Sequence, residues 1–530
     1  MLNARIPGMR NQALIGISVL VLGLWVAWQL GAKIAAEETQ SILIATVGFA
    51  ACGVAVAILR GWRFGFYLFL VWLLFEDFAR KYLGNGTALF FGKDILAGLI
   101  YISLFIALRR RRETTFRPPF LLPLALFAWL GAAQIFNPNS PSVVYGLLGF
   151  KLYFYYIPLI FVGYALMRSD EDLRKFLVAN ALLASVIASL GIMQSILGNS
   201  FLNPRVLAPE LQDLGDLYKV TPLSGHIVSI PDSVFVSAGR YGLYLILVTI
   251  LMVGAAGYLL LCTEKNRKLV SLVIALIGGS VLLSGSRGVV LYSIASVLVL
   301  AMAFLWGAPW RQRQAYRSLK AARRSLIMAT LGLSVIILIF PEEAGSRIAY
   351  YAETLLPNSS AYEVSNRAWD YPIHNFLDAF NQPNWVFGNG TGVASLGTQY
   401  VSKLIGQRPP SIAVEEGYGC MIIEMGIIAP FLWLLWTASL LYYSWRVVMR
   451  LRGTRLFPIG FAILWYAFVL LYPLTYGGIP AYQNYVTNAY LWLLVGILFR
   501  LPDLLGQAQL GQVAIPRHKS TALDFNSDET

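Results

Sequence analysis

The chain has 530 residues, of which 57% are hydrophobic and only 13% are charged, and its formal net charge is +14. A water-soluble domain carries about 25% charged residues, so this composition excludes an ordinary soluble protein and indicates a membrane protein. The basic residues lie scattered between apolar segments, which favours membrane topology over nucleic-acid binding as the reason for the positive charge. The 3 histidines and 3 cysteines are widely spaced, which argues against a histidine-built metal site or a disulfide framework.

Apolar segments that approach the roughly 30 Å thickness of a bilayer recur along the whole chain. About 14 are predicted, at residues 12–30, 41–59, 61–75, 94–108, 120–136, 151–167, 176–195, 238–261, 269–284, 288–306, 325–340, 418–445, 456–475 and 486–499. Arg5 and Arg10 precede the first segment, which we interpret as an uncleaved helix rather than a signal peptide. The prediction is an all-α polytopic membrane protein with about 12–14 transmembrane helices, in which residues 1–500 form one transmembrane domain.

The connections between these segments alternate between a basic set and a more acidic set. The positive-inside rule places the basic set, and with it both termini, on the cytoplasmic side. Residues 501–530 are expected to form a disordered cytoplasmic tail. The two longest connections, residues 198–237 and 341–417, then lie on the periplasmic side, the second of them before the last three helices. Loops of this length are usually functional.

Shorter features are predicted on the same outer side. Residues 366–380 are amphipathic and are expected to form a short helix along the membrane surface. Residues 75–94 carry six charges and are expected to form a short outer hairpin. Residues 387–392 form a glycine-rich turn without a preceding strand, which excludes a dinucleotide or P-loop site.

Several basic residues lie on the outer side, against the positive-inside trend. Lys151 and Arg240 are at the outer starts of two predicted helices, and Arg287 lies in residues 284–288 (Ser-Gly-Ser-Arg-Gly) between two apolar segments. Arg347 and Arg367 are in the large loop. Each one alone is also explained by an ordinary outer-face charge that reaches lipid headgroups. Because guanidinium binds phosphate through two parallel N–H bonds, their combination predicts a positive outer cavity for an anionic headgroup.

Three acids form a second group near the end of the large loop. Glu415 and Glu416 precede the predicted helix 418–445, and Glu424 lies two turns inside it. Either of the first two is a candidate general base, because partial desolvation tunes a carboxylate toward that role. The alternative is that both are solvated loop acids. For Glu424 we favour a structural role.

The order of four motifs over residues 230–445 resembles the O-antigen ligase/polymerase superfamily, bacterial membrane glycosyltransferases that act on lipid-diphosphate glycans. The motifs are residues 284–288, residues 367–370 (Arg-Ala-Trp-Asp), residues 385–392 (Trp-Val-Phe-Gly-Asn-Gly-Thr-Gly) and residues 415–426, which begin Glu-Glu-Gly-Tyr. Ligases of the family place a histidine where this chain has Glu415. That departure favours a polymerase, with a ligase as the alternative.

The resemblance implies an enzyme of the bacterial inner membrane that needs no metal or other cofactor. Arg240 and Arg287 would bind the diphosphate of an undecaprenyl-linked glycan donor, with help from Lys151 and Arg367. Glu415 or Glu416 would activate a hydroxyl of the acceptor glycan, with Arg287 stabilising the leaving diphosphate. Other polysaccharide-assembly proteins are possible partners, and no nucleic acid is expected. The alternatives from other classes are a flippase or transporter for lipid-linked glycan and a non-catalytic assembly subunit.

Overall fold

The computed structural model describes residues 39–84, 86–112, 116–204, 218–262, 267–309, 338–356, 364–406 and 414–513, with isolated positions between 320 and 334. The protein is predominantly helical, as predicted. Seven of the described helices are long and apolar enough to cross a membrane, and three shorter helices are also apolar. These features are those of a multi-pass membrane protein. The predicted segment at 12–30 and most of 325–340 lie outside the described residues, and the predicted number of spans and their sidedness stay predictions.

The chain divides into two compact units, residues 1–70 with 92–113 and residues 71–91 with 114–530. In the first unit, α1 (Thr39–Arg60) is followed by α2 (Trp62–Leu83), and α3 (Thr87–Arg111) returns alongside. The hydroxyl of Ser103 in α3 donates to the carbonyl oxygen of Ile58 in α1 at 2.8 Å. The end of α2 and the start of α3 belong to the second unit.

The second unit contains all the other described elements. Its N-terminal part comprises α4 (Leu121–Ala133), α5 (Val143–Phe154), α6 (Leu159–Leu166), α7 (Asp170–Leu197), the hairpin of β1 (Tyr218–Val220) and β2 (Ile227–Ser229), α8 (Ala238–Cys262), α9 (Arg267–Leu283) and α10 (Arg287–Gly307). Its C-terminal part comprises α11 (Pro341–Leu355), α12 (Tyr371–Asp378), α13 (Thr398–Ile405), α14 (Gly417–Met425), α15 (Ile428–Leu451), α16 (Phe457–Val469), α17 (Pro480–Gln483) and α18 (Tyr485–Val513). A π-helical turn, Leu470–Leu474, and a last turn, Thr475–Gly477, prolong α16.

Small residues let the helices of the second unit approach closely, as is usual in membranes. Gly163 of α6 lies against α18, where a Cβ would be 2.1 Å from the carbonyl oxygen of Leu493. Gly496 of α18 lies in the same way against Ile160, at 2.0 Å. Any larger residue at either position would separate these two helices.

Two sequence predictions about helices were wrong. The single helix predicted at 418–445 is two helices, α14 and α15, because Gly426 adopts a φ of +84° and its hydrogens face the carbonyl oxygen of Val386. The outer hairpin predicted at 75–94 is instead the end of α2 and the start of α3. Asp77 and Arg80 are fully buried in α2 because they pair with other charges inside the protein.

The large loop contains the helical segment predicted at residues 366–380 and two further helices, α11 and α13, that were not predicted. Residues 366–380 form a π-helical turn, Asn366–Asp370, followed by α12 and by the start of a 3-10 turn, Ala379–Asn381. The last helix, α18, extends beyond the predicted span 486–499 and ends at Val513.

Candidate functional site

Arg240, predicted to bind diphosphate, forms a buried ion pair with Asp77. Its Nη1 atom donates to both carboxylate oxygens of Asp77, at 2.9 and 2.8 Å. Arg80 Nη1 donates to one of the same oxygens at 3.0 Å. The Arg240 guanidinium also lies over the ring of Tyr485, 5.3 Å from its centroid, and its side chain is 18% exposed. We call Asp77, Arg80, Arg240 and Tyr485 the Asp77 cluster.

Lys151 lies close to this cluster through an aromatic contact. Its Nζ atom is 4.6 Å from the centroid of the Phe90 ring and 4.7 Å from that of Phe91, and Arg80 contacts the same Phe90 ring at 5.5 Å. Lys151 and Arg240, which the sequence predicts as site residues, therefore each share a contact with Arg80: Lys151 through the Phe90 ring and Arg240 through the Asp77 carboxylate.

A second ion pair lies one residue further along α2. Lys81 Nζ is 2.9 Å from Asp232 and donates to the carbonyl oxygen of Ser233 at 2.9 Å. The Gln194 side chain donates to Asp232 at 2.6 Å, and its oxygen accepts the Ser233 N–H at 2.7 Å. Sequence reasoning missed the role of Asp77, Arg80 and Lys81. Their i, i+3 and i, i+4 spacing, which places them on one helix face, was the available signal.

Arg287 belongs to a different cluster, centred on the buried ring of Tyr350 in α11. Its guanidinium lies 5.5 Å from the ring centroid, and Lys219 of β1 approaches the same ring at 5.7 Å. Arg347, one helical turn before Tyr350, donates to the carbonyl oxygens of Ser195 and Ser229 at 3.3 and 3.1 Å. We call Lys219, Arg287, Arg347 and Tyr350 the Tyr350 cluster. It joins three cations from segments far apart in sequence.

Backbone contacts on both sides of α11 hold this cluster together. Tyr351 donates to the carbonyl oxygen of Leu282, just before the turn that carries Arg287. Gly285 adopts a φ of +63° in that turn, which glycine permits without strain. On the other side, Glu353 accepts the N–H groups of Leu223 and Ser224 at 2.8 and 3.2 Å. Hydrogen bonds from the Ser224 side chain and from these backbone groups lower the pKa of Glu353.

Glu415 and Arg367 meet at Tyr371, the first residue of α12. The Tyr371 hydroxyl donates to Glu415 at 2.7 Å, and the Arg367 guanidinium lies 5.2 Å from the centroid of the Tyr371 ring. The Glu415 backbone N–H donates to the Asn375 side chain at 3.0 Å. The hydrogen bond to Glu415 raises the pKa of Tyr371. Glu415 is exposed, so its carboxylate is accessible to a substrate. We call Arg367, Tyr371 and Glu415 the Tyr371 cluster.

Glu416 has a different environment from its neighbour. It is buried and caps the N-terminus of α14, where its carboxylate accepts the N–H groups of Tyr418, at 2.9 Å, and Gly419. Burial raises the pKa of Glu416 to about 7. Its oxygens are engaged by the helix, so Glu415 is the better placed of the two predicted bases.

Glu424 connects α14 to the loop that follows the glycine-rich turn. One of its oxygens accepts the Ala394 N–H at 3.0 Å and the Ser395 hydroxyl at 2.7 Å, and Gln483 donates to the same hydroxyl at 2.8 Å. These contacts agree with the structural role that its position suggested.

Single contacts and short chain segments connect the three clusters. Gly242 lies against Val289, so the first turns of α8 and α10, which carry Arg240 and Arg287, are neighbours. The segment from Ser229 to Arg240 runs from the Tyr350 cluster to the Asp77 cluster. Gly478, next to the carbonyl oxygen of Glu415, begins the segment that leads to Tyr485. Among the described residues, no group of three His, Cys, Asp or Glu is placed to hold a metal ion.

No protein-family model matches this chain, and no curated protein or solved structure is similar to it. Its functional assignment therefore depends on the motifs in the sequence and on the geometry of these three clusters.

Proposed function

We propose that this chain is a membrane glycosyltransferase that extends a glycan carried on undecaprenyl diphosphate at the predicted periplasmic face. The observation that carries the proposal is the Tyr350 cluster. Lys219 of the hairpin and Arg287 at a helix start both lie over the ring of Tyr350. Arg347 is one turn before Tyr350 in the same loop helix and donates to the carbonyl oxygen of Ser229. A diphosphate is the group on a lipid-linked sugar that matches several cations at one place.

The ring contact suits a guanidinium that binds phosphate. A guanidinium that contacts an aromatic face is attracted by the ring as a cation and does not need its N–H groups for that contact. Arg287 can therefore keep its contact with Tyr350 while it donates two parallel bonds to phosphate oxygens. Arg347 adds a second fixed charge, and Arg240, shared with Asp77, contributes to the positive potential beside them.

In the proposed reaction, a hydroxyl oxygen of the acceptor glycan forms a bond to the anomeric carbon of the donor. The bond between that carbon and the phosphate oxygen breaks, and its electron pair leaves with the diphosphate. Glu415 accepts the hydroxyl proton, with Tyr371 orienting the carboxylate. Arg287 and Arg347 stabilise the charge that develops on the leaving diphosphate. The cations and base are side chains of this chain, and Arg367 helps hold the substrate.

Binding of the donor is the first test. Purified full-length protein in nanodiscs is titrated with undecaprenyl diphosphate, and Arg287→Ala is compared with the wild type. We expect at least a tenfold loss of affinity, the effect of removing a charge-assisted hydrogen bond. Arg452→Ala is the matched control, because Arg452 also stacks on an aromatic ring, that of Trp306, at 4.2 Å. Wild-type affinity in both Arg287→Ala and Arg347→Ala would remove the Tyr350 cluster from the mechanism.

The reaction itself separates the classes of function. Sealed proteoliposomes that contain only this protein and short lipid-linked repeats should form long polymer, and Glu415→Gln should prevent growth while donor binding persists. Transfer of the glycan to a second acceptor without lengthening would instead assign a ligase. Movement of the lipid-linked glycan across the bilayer without a new glycosidic bond would contradict the proposal and assign a transporter.

A further inference from the structure

An apolar cleft lies between α7, α8 and α9 in the second unit. Its empty space, open exterior included, amounts to about 560 Å³. It is lined by apolar side chains such as Leu177, Leu182 and Val273 together with the small residues Ala181 and Ser185. Along α7 the lining extends from Leu177 to Ser185, nine residues, or about 12 Å of helix. The cleft is therefore long enough to hold part of a hydrocarbon chain.

The position of the cleft separates it from the candidate donor site. On α9 the lining residues are in the first half of the helix, Leu269 to Ile274, whereas the Tyr350 cluster contacts the turn after Leu283. Ten residues from Ile274 to Ser284 correspond to about 15 Å along the helix axis. The cleft thus opens toward the opposite half of the bilayer, which the distribution of basic residues predicts to be the cytoplasmic leaflet.

Basic residues lie at the same end of two of the three helices that form the cleft. Arg174 and Lys175 precede the first lining residue of α7 by less than one turn, and α9 begins with Arg267 and Lys268 directly before Leu269. Arg174 is exposed. Lys175 pairs with Glu171 at 2.8 Å, and both side chains of that pair are largely exposed.

Asp170, at the start of α7, is engaged by Arg455 of a neighbouring connection. A third acid of this turn, Asp172, accepts the backbone N–H of Arg168. The start of α7 and its Arg455 partner thus bring together four basic and three acidic residues, a small positive excess: Arg168, Arg174, Lys175 and Arg455 against Asp170, Glu171 and Asp172.

From this arrangement we infer that the cleft binds an anionic phospholipid, with one acyl chain between α7, α8 and α9 and the phosphate at the basic helix ends. Inside a bilayer, an acyl chain gains little by moving from other chains to an apolar protein surface, so the cleft provides shape but little selectivity. Selectivity must come from the headgroup. Basic residues beside a cleft between membrane helices on the cytoplasmic side attract anionic headgroups. This inference is independent of the proposed glycosyl transfer.

Native mass spectrometry of the full-length protein tests the inference directly. The protein is equilibrated in detergent with equal amounts of phosphatidylglycerol and phosphatidylcholine. It is then released from the detergent in the spectrometer, and the molecules of each lipid that remain bound are counted. We expect wild-type protein to retain phosphatidylglycerol preferentially. Arg174→Ala with Lys175→Ala should reduce that preference by about fivefold or more, at roughly fivefold per basic residue near the surface. Arg446→Ala, an exposed basic residue at the end of α15, is the control and should keep the preference.

Filling the cleft tests where the lipid binds. Ala181→Phe and Ser185→Phe each place a ring in the cleft and should abolish retention of the lipid. Ala295→Phe places the same ring on an exposed position of α10 and should leave retention unchanged. The midpoint of thermal unfolding identifies a variant that fails to fold. If one of the two cleft variants fails, lipid retention by the other is the test.

Three results would overturn the inference. They are equal retention of the two lipids by the wild type, an unchanged preference in the Arg174→Ala, Lys175→Ala variant, and wild-type retention in folded cleft variants.

Discussion

The Asp77 cluster and the Tyr350 cluster each contain an arginine at a helix start, Arg240 and Arg287, that the sequence predicts to lie on the outer side. The contacts around these two arginines differ. In the Asp77 cluster, Arg80 and Arg240 share one buried carboxylate. In the Tyr350 cluster, Arg287 contacts a ring and Arg347 donates to neutral carbonyl oxygens. A buried charge is tolerated only when it is paired or hydrogen-bonded, and the two clusters meet this condition in different ways.

The difference suggests a division of labour. A cation whose carboxylate partner is built into the protein stabilises the fold, and it binds an added anion only by sharing. A cation that contacts a ring or carbonyl dipoles can keep those contacts while it binds an anionic ligand. Removing residues of the Asp77 cluster should therefore change mainly stability, and removing residues of the Tyr350 cluster should change mainly binding.

The largest effect is expected from Asp77→Asn. This change removes the buried charge that the fully buried Arg80 and the half-buried Arg240 both contact, so we expect a loss of about 3–5 kcal/mol in the free energy of unfolding. The measurement is thermal unfolding of the purified protein. Glu171→Gln is the matched control, because it removes an acid from the exposed pair with Lys175 and should lose only about 0.5 kcal/mol or less. Equal stability of the two variants would show that the Asp77 cluster does not stabilise the fold.

A smaller but more specific effect is expected when Arg287→Ala and Arg240→Ala are compared. Arg287→Ala should weaken donor binding by about 1.5–3 kcal/mol, the value of a hydrogen bond to a charged group. Arg240→Ala should lower stability more than it lowers affinity. Both quantities are measured on the same preparations, by lipid titration and by thermal unfolding. The opposite pattern would exchange the roles of the two clusters.

Glu416 extends the comparison to an acid that is compensated by backbone N–H groups. With its pKa raised from the usual 4.5 to about 7, the folded protein holds this proton more tightly than the unfolded chain. The stability from Glu416 is therefore complete below about pH 4.5 and is lost as the pH rises through about 7. Glu416→Gln keeps an oxygen for the cap and should remove this dependence, a difference on the order of 3 kcal/mol.

The measurement for Glu416 is the midpoint of unfolding of both proteins between pH 4.5 and pH 8. Parallel curves for the wild type and Glu416→Gln would show that the proton is not linked to folding.

The smallest effect is expected from Arg240→Lys. Both bonds to Asp77 come from the single nitrogen Nη1, so one ammonium can replace them, and the loss of stability should be about 1 kcal/mol or less. Arg287→Lys, in contrast, loses the two parallel bonds of a guanidinium and should bind the donor more weakly. If Arg240→Lys and Arg287→Lys have the same stability and the same affinity for the donor, the two clusters do not differ in their need for a guanidinium.

Local chemistry was enough to predict most of what concerns single segments. The helical, membrane-spanning character follows from hydropathy, and the helical pieces at 366–380 follow from amphipathic periodicity, because both are properties of consecutive residues. The sequence also identified Arg240, Arg287, Arg367 and Glu415 as unusual, since a charge beside an apolar segment is visible without a fold.

Partners could not be predicted in this way. Arg240 and Asp77 are 163 residues apart, and nothing in the sequence of either segment predicts that the two residues pair. The same limit explains why the burial of the charges in residues 75–94 was not predicted, because the ions that pair with them are supplied by distant segments. The different surroundings of Glu415 and Glu416 depend equally on α12 and α14 being in place.

The sequence by itself determined that this is a helical membrane protein and which of its charges are out of the ordinary, because the transfer of a residue into lipid depends on that residue and its neighbours. Tertiary structure alone decided which charges are neutralised and which are gathered around a ring. It also decided that Gly426 breaks a helix against the carbonyl oxygen of Val386. Those outcomes depend on contacts between distant segments, which hydropathy and spacing do not encode.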